Sequence, residues 1–224
     1  MLGRGETPGA LPETGPRELA GLSHDLRTPL ARIRLALEML ERRPDPKRIA
    51  QLDSGIEEMN HLEGDMLELA RGLGREAAAP IGVRLLLHEL AQRAQEAGTR
   101  VEIACEPCVV SAPPMALRRL LGNLISNAQR YGGEAPLEFR AERSGSSVWI
   151  GVADRGPGIP ANQIEAVFQP FHRVDVSRSV TTGGAGLGLA IVQQLAQSNG
   201  WTVVLENRSR GGHAAWVTLP CDGP

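Results

Sequence analysis

Gly183-Gly184-Ala185-Gly186-Leu187-Gly188-Leu189-Ala190-Ile191-Val192 is a glycine-rich loop that runs into an apolar helical pattern. Glycines let backbone N–H groups converge, and the positive end of the following helix favours an anion, so the stretch reads as a phosphate cradle. Its spelling excludes the two common phosphate-binding folds. No Gly-Lys-Ser/Thr follows, so it is not a P-loop. Leu189 stands where a dinucleotide fingerprint needs its third glycine, and no strand immediately precedes it. The pattern around the loop supplies the alternative. Helical stretches are expected at Leu85–Ala97, Pro114–Tyr131, Ala161–Val167 and Gly188–Ser198. Strands are expected at Arg100–Ala104, Val109–Ser111, Leu137–Ala141, Val148–Ala153, Trp201–Glu206 and Ala214–Leu219. Ser144-Gly145-Ser146 and Gly211-Gly212 mark hairpin turns. Strands and helices do not alternate regularly, which predicts an α+β sandwich rather than a doubly wound sheet.

Three more features in this half point to a nucleotide. Asn123-x-x-x-Asn127-x-x-Arg130-Tyr131 closes the longest helix. Residues four apart share a helical face. Asparagine is a mediocre helix former whose amide needs partners when buried. A polar stripe beside Leu117, Leu120, Leu121, Leu124 and Ile125 therefore suggests a polar ligand, although an ordinary outer face would look similar. An amide oxygen suits Mg²⁺ and adds no charge to compete with phosphates. Asp154-Arg155-Gly156-Pro157-Gly158 follows a strand directly. An ionised carboxylate only accepts hydrogen bonds, which suits the exocyclic amine of adenine, and the glycines admit close backbone approach. The alternative is a plain Asp-Gly turn. Phe168-Gln-Pro-Phe171-His172-Arg173 opens a stretch with little secondary-structure signal through Thr182. Its two phenylalanines suggest anchors for a mobile flap over the nucleotide, or simple loop packing.

The first third of the chain has a different period. Leu19, Leu22, Leu26, Leu30 or Pro29, Ile33, Leu37 and Leu40 are spaced by threes and fours, and so are Ile49, Leu52, Ile56, Met59, Leu62, Met66 and Leu69. Arg42-Arg43-Pro44-Asp45-Pro46 separates them, basic residues before prolines, as at a helix end. Two antiparallel helices with heptad-like stripes cannot cover both stripes alone. A homodimeric four-helix bundle solves this with one symmetric interface; packing of the hairpin on its own chain is the alternative. In the first helix lies Ser23-His24-Asp25-Leu26-Arg27-Thr28-Pro29-Leu30. His24 has an acid beside it and a hydroxyl one turn later. Pro29 removes a backbone hydrogen bond and should bend the helix just beyond the imidazole.

Composition narrows the partners. Lysine plus arginine is 24 against 26 acids, a net charge of −2. That balance gives no electrostatic reason to bind nucleic acid or an anionic membrane. Aromatics are 3%, too few for base-stacking platforms. No apolar run approaches the ~18 residues of a spanning helix, and no signal peptide opens the chain. Three cysteines do not make a disulfide framework. Cys105-Glu-Pro-Cys108 lies between strands rather than at a helix start, so no redox or zinc role is read for it.

Taken together, the histidine, asparagine, first glycine, phenylalanine and second glycine boxes resemble, in that order, those of the sensor histidine kinases of bacterial two-component systems. Within that family the chain looks like the osmosensing kinase of enteric bacteria and its relatives. The match runs from about Glu18 to Pro220. It implies a disordered lead at residues 1–16, a dimerisation and phosphotransfer hairpin at 17–72, a linker at 73–80 and a Bergerat-type ATP-binding domain at 81–224. On this resemblance His24 is the phospho-acceptor, Asp25 orients its imidazole and Thr28 positions water for dephosphorylating the partner. Asn127 is the magnesium ligand, with Asn123 beside it. Arg130 and Tyr131 face phosphate and nucleotide. Asp154 binds adenine, flanked by Gly156 and Gly158, and Gly184, Gly186, Leu187 and Gly188 form the second glycine box. ATP and Mg²⁺ are the implied cofactors. The implied activity is autophosphorylation of His24, transfer to an aspartate on a response-regulator receiver domain, and phosphatase action on that regulator. A non-catalytic dimer that binds ATP and docks a regulator is the alternative. The spanning sensor that precedes the first helix in this family is not in the sequence, and Pro80–Leu87 fits only loosely. The expected setting is the cytoplasmic portion of an inner-membrane kinase anchored through a segment not present here.

Overall fold

The computed structural model describes residues 30, 31, 33–40, 49, 52, 56, 59, 60, 63, 64, 76–174 and 186–221. The chain divides into two compact units, Met1–Ala70 and Arg71–Pro224. In the first, every described residue is helical. Ala36 is buried, whereas Leu30, Leu35, Leu37, Met39, Ile49 and Ile56 are exposed. His24, Asp25, Thr28, the bend expected at Pro29 and the lead at 1–16 lie outside the described residues.

The second unit starts with β1 (Ala79–Gly82), which leads straight into α1 (Val83–Glu96), then β2 (Val101–Cys105) and β3 (Val109–Ala112). Next come α2 (Pro114–Tyr131), β4 (Leu137–Ser144) and β5 (Ser147–Ala153). The unit closes with α3 (Gly188–Asn199), β6 (Thr202–Asn207) and β7 (His213–Pro220). Five strands form one sheet in the order β2-β4-β5-β7-β6. β2 runs parallel to β4, and every other neighbour pair is antiparallel. β1 and β3 make a separate antiparallel pair.

Local chemistry explains the elements. Pro114 opens α2 at a position whose N–H would be unpaired anyway. Leu117, Leu120, Leu121, Leu124, Ile125 and Ala128 then bury one stripe of it. Gly200 ends α3 in the left-handed conformation at φ 69°, with its N–H on the Gln197 carbonyl. Along β5, Val148, Ile150 and Val152 pair with Leu219, Val217 and Ala215, all buried. α1 packs on β2 and β4, α2 on β5 and α3 on β6, so the helices form the second layer. Trp149, alternating with that buried set, is 39% exposed. Its ring meets Trp216 edge to face at 6.5 Å, and the Trp216 indole lies where a Cβ on Gly151 would stand.

Two expectations are corrected. The linker at 73–80 includes Ala79 and Pro80, which are strand residues paired with Ala112 and Ser111. A two-stranded pair leaves one edge unpaired, so a proline lacking an N–H is tolerated there. Residues 73–75 lie outside the described set. Ala161–Val167 is not one short helix but two 3₁₀ turns, Ala161–Gln163 and Ala166–Phe168. Short turns of this kind suit a connector whose carbonyls bond three residues on, as Gln163 N–H does to the Pro160 carbonyl.

Candidate nucleotide site

The site is built outward from α2. Asn123 and Asn127, one turn apart, are both half-buried, while Arg130 and Tyr131 are exposed. Asn123 Nδ2 donates to the Arg119 carbonyl at 3.1 Å, which fixes the amide and leaves Oδ1 as an acceptor. The first residue of α3 stands against that oxygen: a Cβ on Gly188 would lie 3.1 Å from Asn123 Oδ1. The asparagine helix and the second glycine box therefore meet.

The other end of α2 meets Asp154. This carboxylate follows β5 and is only 6% exposed. Its Oδ1 accepts the N–H of Gly156 at 2.8 Å and that of His213 at 3.2 Å. Its own N–H donates to the His213 carbonyl, and its carbonyl accepts from Arg208. Two glycines make this packing possible. A Cβ on Gly156 would fall 2.1 Å from the Tyr131 carbonyl. Gly212, at φ 96°, would place one 2.0 Å from the Asp154 carbonyl. Asp154 Oδ2 accepts no hydrogen bond among the described residues; the atom it faces is His213 Nδ1, 3.9 Å away. Burial holds the His213 imidazole below its ordinary pKa, and the Asp154 charge opposes this only in part. The pair is therefore not a salt bridge at neutral pH.

Residues outside the expected motifs hold the first glycine box in place. Asn207, at the end of β6, accepts the Ile159 N–H at 2.8 Å and donates Nδ2 to the Ile159 carbonyl, as a neighbouring strand would. A Cβ on Gly158 would meet that same amide at 2.7 Å. Glu138 accepts from Arg140, Arg155 and Arg208 at 2.7, 2.9 and 2.7 Å. Burial raises its carboxyl pKa, but hydrogen bonds from Arg208 and Arg140 outweigh that and hold it below the usual range. Since Arg208 also bonds the Asp154 carbonyl, Glu138 braces the loop from β4.

The phenylalanine stretch touches the second glycine box directly. Phe171 N–H donates to the Gly186 carbonyl at 3.1 Å, and a Cβ on Gly186 would lie 2.8 Å from the His172 carbonyl. Phe171 itself sits at φ 62°, an uncommon conformation for a non-glycine residue. Leu187 is buried, so it offers a ligand backbone rather than side chain. Gly184 lies outside the described residues. A surface groove of about 730 Å³ beside α1, lined by residues such as Leu85, His88, Gln92 and Ile103, shares nothing with these boxes.

The donor set suits magnesium carried in by a polyphosphate. Among the described residues no three His, Cys, Asp or Glu side chains gather to hold a metal. A neutral asparagine amide would add one oxygen to those of phosphate and water, the arrangement Mg²⁺ favours.

Comparison with known proteins agrees with this arrangement. Residues 112–223 match the histidine kinase-, DNA gyrase B-, and HSP90-like ATPase family. Residues 17–74 match the His Kinase A (phospho-acceptor) domain. Sensor histidine kinase GtrS of Pseudomonas aeruginosa is 35% identical over 205 residues, 90% of this chain and 41% of its own. The chain spans less than half the length of the curated relatives it matches. The solved ATP-binding domain of PrrB from Mycobacterium tuberculosis superposes with TM-score 0.54 at 28% identity, covering 66% of this chain and all of that one. Histidine kinase AdeS of Acinetobacter baumannii shares the fold over 89% of this chain and 98% of its own, with TM-score 0.72 at 21% identity. The two-layer unit is thus of the Bergerat type. With a phospho-acceptor domain ahead of an ATPase domain of this kind, the chain belongs to the sensor histidine kinase family.

Proposed function

We propose that the chain is an ATP-dependent protein histidine kinase that phosphorylates its own His24. The observation that carries this reading is the meeting of three boxes around α2: Gly188 against Asn123 at one point, Gly156 and Asp154 against its C-terminal end at another. In this reading Asp154 Oδ2 accepts the exocyclic amine of adenine. Asn123, Arg130 and Tyr131 face the sugar and phosphates, and the amides around Gly184–Gly188 stabilise phosphate charge. Asn127 would hold Mg²⁺, which when bound neutralises charge on the phosphates. Phosphoryl transfer draws most of its catalysis from positioning and electrostatics, which is what rigid glycine contacts supply.

His24 attacks as neutral imidazole, the dominant form above its ordinary pKa of about 6.5. Asp25 accepts from the other ring nitrogen and fixes the tautomer. The phosphoryl group then passes to an aspartate on a response-regulator receiver domain, and in the separate phosphatase reaction Thr28 positions the water that hydrolyses that acyl phosphate to free carboxylate and inorganic phosphate. The apolar residues Leu30, Leu37 and Ile56, exposed on a single chain, support a homodimer that covers them. The proposed domains are the hairpin at 17–72 and the ATP-binding domain beyond it. The full-length protein is placed at the inner membrane with this portion in the cytoplasm. Among the described residues no helix is long and apolar enough to cross a membrane.

With labelled ATP and Mg²⁺, wild type should acquire acid-labile label and His24→Gln should not. Label persisting on His24→Gln would remove His24 as the sole acceptor. Thr28→Ala should retain self-labelling while slowing regulator dephosphorylation.

A further inference from the structure

His213 is the first residue of β7 and only 7% exposed, and no hydrogen bond reaches its Nε2 among the described residues. It touches Asp154 three times. Its N–H bonds Oδ1, its carbonyl accepts the Asp154 N–H, and its Nδ1 faces Oδ2 at 3.9 Å. That last gap is beyond a direct hydrogen bond, but about 1 Å of ring movement or one bridging water closes it. Two penalties decide the tautomer. A proton on Nε2 would leave a buried donor unpaired and aim the Nδ1 lone pair at a carboxylate. A proton on Nδ1 faces the carboxylate, and leaves Nε2 only a bare lone pair.

We propose that His213 is a positioning residue for the base-reading carboxylate: its neutral ring, protonated at Nδ1, holds Asp154 Oδ2 toward the adenine amine. The inference rests on the assignment of Asp154 to adenine. Oδ1 is committed to two backbone N–H groups, so Oδ2 is the oxygen available to a base, and the ring beside it sets its direction. Protonating the ring changes the chemistry. An imidazolium competes for Oδ2 as a full ion-pair partner and draws it from the base. Nucleotide affinity therefore falls on acidification through the pKa of this ring, as well as through that of the nucleotide phosphate.

The charged groups around the ring allow this. Asp154 is the charge that acts on it. Arg208 is engaged with the Asp154 carbonyl and Glu138, and Arg155 with Glu138. Its pairing partner across β6, Asn207, is uncharged.

The test is calorimetric titration of the full chain with Mg²⁺–ADP at about pH 7.5 and at a pH below the ring's own pKa, which the ¹⁵N shifts of His213 locate beneath the ordinary imidazole value. Wild type should lose about five-fold more affinity between the two than His213→Gln, because the phosphate titration is common to both. At the higher pH His213→Gln should already bind more weakly. Parallel profiles would overturn the proposal. Should that variant fail to fold, ¹⁵N spectra of the wild-type ring decide independently: a proton on Nδ1 supports the role, one on Nε2 ends it. Asp154→Asn separates the two levels. Its binding loss alongside parallel His213 profiles faults His213 alone, whereas undiminished binding faults the assignment of Asp154.

Discussion

Among the described glycines of the site, Gly212 has the least room. Its left-handed backbone and the Asp154 carbonyl 2.0 Å from a virtual Cβ leave space for no side chain. Gly212→Ala should cost roughly 2 kcal/mol or more of stability, since strain and overpacking add. A lower urea midpoint at unchanged slope would show it. His213 makes a second prediction, with a definite sign. Burial lowers its folded pKa, so the unfolded chain takes up the proton first on acidification. Stability should be full above about pH 6.5 and decline from there down to the folded pKa. His213→Gln should remove that segment of the pH–stability curve, read by thermal melts in matched buffers. Neither role was visible in the sequence. A histidine opening a strand looks like any other until its partner, fifty-nine positions earlier, is brought beside it.

Among the elements, α2 was the most legible. Pro114 at the start and a continuous apolar stripe defined it from sequence alone. β1 was not, because Ala79-Pro80-Ile81-Gly82 has the composition of a linker and acquires a partner only when β3 folds beside it. The parallel pairing of β2 with β4 was equally hidden, since both strands were readable but which neighbours which is a property of the sheet. The glycine boxes were legible as motifs, yet their supports were not. Asn207 and Glu138 lie in strands with no local signature and act across the fold. Asn207→Ala should therefore loosen the Gly156–Ile159 loop without unfolding β6. Loss of two hydrogen bonds predicts about 1–2 kcal/mol of destabilisation. Hydrogen exchange should rise at Ile159 N–H, its acceptor Asn207 Oδ1 gone, while the β6–β7 ladder stays protected.

For the whole molecule, the division into two units sets what can be measured separately. The exposed leucines and isoleucines of the first unit predict association. Sedimentation should give twice the 24.0 kDa chain mass, and Leu37→Glu should shift it toward monomer. The second unit carries all three tryptophans, at positions 149, 201 and 216, and the hairpin carries none. Trp201 is enclosed behind α3, whereas Trp149 looks onto solvent from the open side of the sheet. Intrinsic fluorescence is therefore a built-in, label-free gauge of the ATPase layer. Its red shift on denaturation would time the melting of that layer, and circular dichroism at the helical band would add the first unit, which contains no tryptophan.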